Sequence, residues 1–300
     1  ADHLMLEPGD ARNPSVRIAN PVSDAEPFLR TTLLPGLFAA VARNVGRGLV
    51  DVALYETGPV FRARTATPAP DLPAGQRPDD AALAALDAAL PDQPARVAMV
   101  LAGQREPAGW WGPGRPELWA DAIEAARSLG RALGVRIDVA ADPHPPFHPG
   151  RCAALTVDGQ LVGHAGELHP RVVAAFDLPS RTSAAELSLD ALIDAARPVV
   201  AAAVVSAFPA ATIDIAVTVP TSVPAADLEA ALRNGAGELL EAIRLFDVYT
   251  GGQVEAGRKS MAFALRLRAA DRTLTADEAT AVRDAAVAEA AARFGAVLRA

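Results

Sequence analysis

Residues 245–251 read LFDVYTG and residues 257–278 read GRKSMAFALRLRAADRTLTADE, and these two stretches decide the fold of the C-terminal third. Large apolar residues alternate with small or polar ones over Ser260–Leu267, which predicts a half-buried β-strand. Thr275 and Glu278 then have the spacing of a capping box. The second stretch therefore predicts a strand, a turn and the start of a helix.

The flanking sequence extends this pattern into a complete unit. Its predicted elements are strand Ile213–Val219, helix Pro224–Arg233 closed by Asn234-Gly235, strand Ala242–Tyr249, strand Ser260–Leu267, a helix ending at Phe294 before Gly295, and a short strand Val297–Arg299. The order β-α-β-β-α-β is that of a ferredoxin-like fold.

In such a fold both helices cover one face of the sheet, so the period of two predicts what the other face displays. We expect an inward set of Ile215, Val217, Phe246, Val248, Met261, Phe263, Leu265 and Leu267. We expect an outward set of Asp214, Ala216, Asp247, Tyr249, Ser260, Ala262, Arg266 and Arg268. The open face is then small and polar, with one aromatic residue and a basic edge.

This outward set suggests a surface for single-stranded RNA. A base can stack on Tyr249 while Asp247 and Ser260 hydrogen-bond its edge. The predicted phosphate contacts are Arg258, Lys259, Arg266, Arg268 and Arg272, against one nearby acidic residue, Asp271. The alternative is an ordinary edge aromatic beside a solvated basic face, because ferredoxin-like folds host many functions.

The first two thirds of the chain predict a mixed, mostly antiparallel sheet with helices. Asp158-Gly159 between two apolar runs is a strong hairpin signal. The other predicted elements are strands Val16–Ala19, Val50–Tyr55, Pro59–Arg64 and Arg96–Leu101, and helices Pro35–Val45, Asp79–Leu90 and Pro116–Leu133. The fold class is therefore α+β, with one domain over residues 1–198 and a second over residues 199–300.

Composition excludes several classes of protein. Hydrophobic residues make up 51% of the 300 residues and charged residues 21%, which is typical of a globular chain. The net charge of −8 provides no global positive field, so any nucleic-acid contact must be a local patch. Cys152 is the single cysteine, which excludes an internal disulfide and fits a reducing compartment. No apolar run reaches the length of about 18 residues that a membrane span needs, so we expect a cytoplasmic protein.

The sequence offers no catalytic centre. Nucleophile-elbow, phosphate-loop and dinucleotide-binding motifs are absent from it. His164, Glu167 and His169 can be imagined as a metal trio, but their spacing does not place two ligands on one helical face. Hydrogen bonding at turns explains them better, and we assign neither catalytic nor metal-binding residues.

Several motifs, taken in order, resemble the C-terminal part of the beta subunit of bacterial phenylalanine-tRNA ligases. They are NPVSDAEPFLRTTLLPGL at residues 20–37, LYETGPVF at 54–61, HPGRCA at 148–153, GELHP at 166–170, and AFPAATIDIAV, LFDVYTG and GRKSMAFALRLRAADRTLTADE in the last unit. The likeness spans nearly the whole chain and is weakest over residues 65–94. The family usually has Arg-Asp where this chain has Ile213-Asp214.

The resemblance implies a class II synthetase-like module without catalysis, followed by a ferredoxin-fold anticodon-binding domain. It also implies docking to a catalytic alpha subunit, binding of tRNA(Phe), a heterotetramer of two alpha and two beta subunits, and further domains upstream. ATP and Mg²⁺ would serve the complete enzyme, with no cofactor in this chain, which alone would be inactive. The alternative is a free-standing RNA-binding or scaffold protein that reuses both folds.

Two details of the first module bear on its role. Leu33, Leu34, Leu37 and Phe38 are more apolar residues than one helix face needs, so we expect part of this set to form an exposed surface for the alpha subunit. Arg30 is either a relic of an ATP site or the structural partner of a carboxylate such as Glu56, and the structural pairing is favoured.

Overall fold

The computed structural model describes residues 2–13, 15–24, 26–64, 69–72, 74–196 and 205–299. Contacts divide the chain into two compact units, Ala1–Val200 and Ala201–Ala300. The domain boundary predicted between residues 198 and 199 lies outside the described residues.

The first unit combines helices with antiparallel strands. Its described helices are α1 (Leu34–Val45), α2 (Asp80–Ala89), α3 (Trp119–Ala132), α4 (Pro170–Ala175) and α5 (Leu189–Ala195). Its described strands are β1 (Val52–Pro59), β2 (Ala95–Ala102), β3 (Gln104–Glu106), β4 (Arg115–Pro116), β5 (Asp138–Ala141), β6 (Phe147–Val157), β7 (Gln160–Leu168) and β8 (Ser183–Ser188). The predicted α+β class is confirmed.

The main sheet of this unit has the order β1-β2-β8-β7-β6-β5, and every neighbouring pair is antiparallel. Helix α1 packs on one face, and α3 and α5 pack on the other. The hairpin at Asp158-Gly159 joins β6 to β7 as predicted, and both residues have positive φ, 50° and 80°. Positive φ at both central residues matches the right-handed twist of the paired strands.

The four apolar residues around the start of α1 are buried inside the unit, so the prediction that they form an exposed surface is wrong. Leu33, Leu34, Leu37 and Phe38 all belong to one core cluster with strands β1 and β2. Phe38 also meets Phe176 edge-on, with ring centroids 5.1 Å apart. The sequence period of α1 did not reveal this because the covering residues lie far along the chain.

The strand predictions near the N-terminus need correction. One continuous strand, β1, replaces the two predicted at Val50–Tyr55 and Pro59–Arg64, because its backbone pairs with β2 without a break. Beyond it, Arg62 forms only an isolated bridge with Asp92, and the predicted strand at Val16–Ala19 is likewise reduced to one bridge.

The second unit has the predicted β-α-β-β-α-β order. Its elements are β9 (Ala211–Pro220), α6 (Ala225–Ala236), β10 (Leu240–Tyr249), β11 (Arg258–Leu267), α7 (Ala276–Phe294) and β12 (Val297–Leu298). The sheet has the order β10-β11-β9-β12 with antiparallel neighbours throughout. Both helices pack on one face, against a core that includes Ile215, Val217, Phe263 and Leu265.

Helix ends in this unit show one success and one error. Thr275 and Glu278 form the predicted capping box, and Gly295 ends α7 at a φ of 60°. Helix α6, however, continues through Gly235 and ends at Gly237. A Cβ on Gly235 would lie 2.6 Å from the carbonyl oxygen of Ala285, so this glycine permits close approach of α6 to α7 rather than a stop.

Candidate nucleic-acid interface

The sheet face that carries no helix in the second unit is the candidate site. Residues that pair directly across antiparallel strands share a face. Asp247 pairs with Ala262 and Tyr249 pairs with Ser260, while the intervening Met261 is buried in the helix-side core. The strand register therefore places Asp247, Tyr249 and Ser260 together on the helix-free face, as the alternation predicted.

Tyr249 is accessible at one end of this face. It is the last residue of β10, and 37% of its surface is exposed. A Cβ on Gly251 would overlap the Tyr249 phenol, so the turn that follows the strand closes tightly over the ring. Glycine at position 251 thus allows the chain to turn without pushing the aromatic side chain off the sheet.

Ser260 lies on the expected face but is not open to solvent. Only 4% of its surface is exposed, which corrects the expectation of an accessible hydroxyl beside Tyr249. Its strand neighbours are Tyr249 on one side and Thr218 on the other. A serine is short, so larger side chains projecting from the neighbouring strands can cover it.

Arg299 lies on the same face, and sequence reasoning did not assign it to the site. Its backbone N–H donates to the carbonyl of Ala216 in β9 at 2.7 Å. Its guanidinium carbon lies 5.7 Å from the centroid of the Tyr249 ring, and Nη2 donates to Oε1 of Gln253 at 2.8 Å. The side chain thus reaches from the β12 edge across the face toward β10.

A β-bulge changes which side chains of β10 are exposed. The pairing shifts between Leu245, which faces Phe263, and Asp247, which faces Ala262, so Phe246 is the extra residue. Phe246 is 47% exposed, and the Arg244 guanidinium carbon lies 5.9 Å from its ring centroid. The prediction that Phe246 points inward is therefore wrong.

Val248 is a milder exception to the predicted inward set. It pairs with the buried Met261, so it is on the helix side, yet it is exposed because β10 is an edge strand. No period of two reveals a bulge, so alternation alone could not place Phe246.

The basic edge of the face is partly neutralised by one acidic residue. Arg268 Nε donates to Glu241 Oε1 at 2.9 Å, and Arg266 Nε donates to Oε2 of the same carboxylate. These bonds, from Arg268 first and then Arg266, lower the pKa of Glu241. Arg268 also donates to the carbonyl of Phe208, so it is more constrained than Arg266.

The other three residues predicted to contact phosphate differ in their hydrogen bonds, their ion pairs and the face of the sheet they occupy. Arg258 Nη2 donates to the carbonyls of Thr218 at 2.8 Å and Gly295 at 2.9 Å, so it also ties β9 to the end of α7. Lys259 pairs with Val219, a buried residue of the helix-side core, so its register is that of the covered face. Arg272 is held by Asp271 and Glu278 in the loop before α7.

The face as a whole offers two exposed aromatic rings, each with a guanidinium beside it, and a carboxylate at Asp247. Aromatic rings stack on bases regardless of base identity, and guanidiniums contact phosphates or stack in turn. A carboxylate accepts hydrogen bonds only from donor groups on a base edge. The arrangement can therefore hold a short single-stranded segment and discriminate among its bases.

The first unit places its predicted residues in structural roles. Arg30 forms an ion pair with Glu56 and Nε donates to the carbonyl of Pro59 at 2.9 Å, so the favoured structural pairing is confirmed. Glu167 accepts from Arg151 at 2.6 Å, and His164 bonds Asp142 at 2.8 Å. His169 caps α4, so the imagined metal trio is divided among separate contacts.

The described ranges hold neither a cluster of metal ligands nor a membrane-spanning helix. Within them, no three histidine, cysteine or acidic side chains are grouped so as to hold a metal ion. None of the helices assigned there is long and apolar enough to cross a membrane.

Comparison with known proteins gives matches to both units. The family model described as the phenylalanyl tRNA synthetase beta chain CLM domain matches residues 1–189. The model described as a ferredoxin-fold anticodon binding domain matches residues 206–299.

Curated relatives match over almost the whole of this chain. The phenylalanine–tRNA ligase beta subunit of Thermobifida fusca is 58% identical over 304 residues, covering 99% of this chain and 36% of that subunit. Beta subunits from Streptomyces avermitilis and Cutibacterium acnes are 57% and 51% identical, with the same coverage. The chain therefore spans 36% of the length of these relatives.

Proposed function

Because the chain belongs to the phenylalanyl-tRNA synthetase beta chain family, we propose that it forms the C-terminal, non-catalytic part of a phenylalanine-tRNA ligase beta subunit. The resemblance read from the sequence motifs is confirmed by the two family models and by relatives named as beta subunits. The alternative of a free-standing RNA-binding or scaffold protein is not favoured by these relatives.

The second unit, in this proposal, binds the anticodon of tRNA(Phe) through its open face. The supporting observation is the juxtaposition of Tyr249 and Asp247 on a helix-free sheet, in a unit that matches an anticodon-binding family model. Tyr249 stacks on a base, and Asp247 accepts a hydrogen bond from a base edge. Ser260 takes part only once the side chains around it move, because it is buried in the free chain.

Phosphate contacts come from the basic residues around this face. We retain Arg258, Arg266, Arg268 and Arg272 and add Arg244, which stands beside the exposed Phe246 ring. Lys259 is left out because its register is that of the helix-covered face. Arg266 and Arg268 reach phosphate by exchanging part of their pairing with Glu241.

The first unit, in the same proposal, docks to a catalytic alpha subunit within a cytoplasmic heterotetramer of two alpha and two beta subunits. The reaction of the complete enzyme joins phenylalanine to tRNA at the expense of ATP, with Mg²⁺ as the metal. The contribution of this chain is to bind and orient RNA and to support the partner.

Affinity for tRNA(Phe) tests the anticodon proposal. The complete ligase carrying Tyr249→Ala should lose about 1–3 kcal/mol of binding free energy, the range for one base–aromatic stack. Tyr249→Phe keeps the ring and should retain most of the affinity. Tyr55→Ala, at an exposed tyrosine of the first unit, is the matched control. Equal affinity of wild type and Tyr249→Ala at fixed salt would remove Tyr249 from the interface.

Amino-acid activation tests the assignment of catalysis to the partner. The 300-residue chain alone should not catalyse phenylalanine-dependent exchange of pyrophosphate into ATP, nor hydrolyse mischarged tRNA. Addition of the alpha subunit and the rest of the beta subunit should supply exchange activity. Exchange at an appreciable rate by the isolated chain would contradict the proposed division of labour.

A further inference from the structure

The first unit contains a cavity whose lining residues all belong to that unit. Its volume is about 520 Å³, within the range of small-molecule sites. The charged and titratable residues of its lining are Asp10, Arg12, Arg62, Arg96, His144, His164 and Glu186. The residues that line this partly open cavity thus include three arginines and two carboxylates.

Strand register explains why these side chains meet. Arg96 on β2 pairs with Ser188 on β8, and Glu186 on β8 pairs with His164 on β7. Glu186 accepts from Thr32 Oγ1 at 2.6 Å and from the backbone N–H of Leu33 at 2.9 Å, just before α1. The floor of the cavity is therefore the sheet face on which α1 packs.

The guanidinium of Arg12 is already satisfied. It donates to both carboxylate oxygens of Asp10, at 2.9 and 2.6 Å, and to the carbonyl of Pro145 at 2.9 Å. The ion pair is largely buried and fixes the loop that forms one wall of the cavity. Arg12 and Asp10 together add no net charge.

The guanidiniums of Arg62 and Arg96 are not satisfied in this way. Arg62 Nη1 donates to the carbonyl of Ala11 at 3.0 Å, a neutral acceptor. The Nε of Arg96 is buried and, within the described ranges, has no hydrogen-bond partner. Leaving a buried donor of a charged group unpaired costs more than 1–3 kcal/mol, the range for a neutral group. Glu186 offsets one of the two positive charges from the same cavity.

The remaining lining groups do not neutralise this charge. Burial, and after it the positive charge of Arg96, lower the pKa of Arg62, whose guanidinium lines the same cavity. His144 and His164 stack with ring centroids 3.8 Å apart, and burial lowers the pKa of both, that of His144 to about 4. Both imidazoles are neutral at pH 7, so each can donate or accept a hydrogen bond without adding charge.

We propose that this cavity binds the phosphate group of a small molecule between Arg62 and Arg96. A phosphate offers more acceptor oxygens and more negative charge than a carboxylate, so it suits a site with two guanidiniums better. When the phosphate binds, the Arg96 side chain reorients so that its unpaired guanidinium donates to the phosphate, whose negative charge offsets the positive charge of both arginines. This site is independent of the anticodon face and of the catalysis assigned to the partner.

Calorimetric titration of the 300-residue chain at constant ionic strength tests the proposal. The probes are inorganic phosphate, pyrophosphate and AMP, with acetate as the carboxylate comparison. Phosphate and pyrophosphate should bind, and acetate should bind more weakly. If AMP binds as tightly as inorganic phosphate, the natural ligand is a phosphorylated metabolite. If phosphate binds and AMP does not, the natural ligand is a free inorganic anion.

Variants assign the binding to the cavity. Arg62→Leu and Arg96→Leu should each weaken phosphate binding about tenfold or more, the loss expected for one charge-assisted contact. Arg136→Leu, at an exposed arginine outside the cavity, should leave phosphate binding unchanged. Arg96→Lys keeps the charge but loses the fork, so its affinity should lie between those of wild type and Arg96→Leu.

Thermal unfolding gives a readout that does not depend on variant affinity. Phosphate should raise the Tm of the wild type, and this rise should be lost in Arg96→Leu. Without phosphate, the Tm of Arg96→Leu should be no lower than that of the wild type. Absence of phosphate binding to the wild type at millimolar concentration would overturn the proposal. Equal binding by Arg96→Leu and Arg136→Leu would overturn it too.

Discussion

The guanidinium of Arg299 lies over the ring of Tyr249, although the two residues belong to opposite edges of the four-stranded sheet. Strands β9 and β11 separate them, and Ser260 on β11 is buried between these edges. A cation over an aromatic face is attractive by about 0.5–1 kcal/mol at exposed sites. Any base that stacks on Tyr249 must therefore either replace Arg299 or insert beneath it.

This contact predicts that Tyr249 and Arg299 act as a pair in binding tRNA. The losses of affinity caused by Tyr249→Ala and Arg299→Gln should not add, with a coupling energy of about 0.5–3 kcal/mol, as for residues in contact. The measurement is a double-mutant cycle on tRNA(Phe) affinity. The comparison cycle pairs Tyr249→Ala with Arg266→Gln, at the other end of β11, and these effects should add. Additive losses in both cycles would show that the Arg299 contact is irrelevant to binding.

Glu241 should weaken tRNA binding, because it holds Arg266 and Arg268 of the open face in ion pairs. Glu241→Gln releases Arg266 and Arg268 from their ion pairs and removes one negative charge. Binding of tRNA should tighten, and the dependence of affinity on salt should steepen by up to about 0.9 per phosphate newly contacted. The control is Glu229→Gln, which breaks a similar ion pair with Arg233 on helix α6. A response to Glu241→Gln no larger than that control would mean that neither arginine contacts phosphate.

Gly235 should be required for the packing of α6 on α7. Gly235→Ala places a Cβ against the backbone of Ala285 and Ala286 and against the Cβ of Glu289, an atom that is fixed to the helix backbone. We expect a loss of about 1–3 kcal/mol in the free energy of unfolding, the range for overpacking a core. Gly252→Ala, with nothing within 4 Å of the new carbon, should be nearly neutral. Urea unfolding of both variants checks this, and equal stabilities would contradict the close approach.

Acid should destabilise the first unit through His144. Its pKa in the folded chain is lowered to about 4, chiefly by burial and then by His164 and Arg12. The unfolded chain takes up this proton near its ordinary pKa of about 6.5. The neutral, folded histidine therefore contributes stability that is complete above pH 6.5 and is lost as the pH falls toward 4.

Urea unfolding between pH 7.5 and pH 4.5 measures this effect. Stability should fall less steeply with acid in His144→Gln than in the wild type. His148→Gln leaves the stack of His144 on His164 intact, so it should behave like the wild type. If His144→Gln and the wild type lose stability in parallel, the buried imidazole is not the cause.

The comparison of sequence and structure is clearest in β10 and β11. Alternation correctly placed Asp247 and Tyr249 on the helix-free face, because the register of both strands follows the buried residues opposite them. It failed at Phe246, because a bulge adds one residue and interrupts the period. Alternation also could not show that Ser260 is buried, since a period of two gives the face of a residue and not its exposure.

The sequence by itself determined the order of elements in the second unit, the Asp158-Gly159 hairpin and the capping box at Thr275. These depend on residues within a few positions of one another, whose local geometry is set by short-range sterics and hydrogen bonds. Only the tertiary structure decided that Arg299 lies over Tyr249 and that Glu241 pairs with two arginines. It also decided that Leu33, Leu34, Leu37 and Phe38 are buried within their own unit. Those outcomes depend on side chains brought together from distant parts of the chain, and no local pattern records which of them will meet.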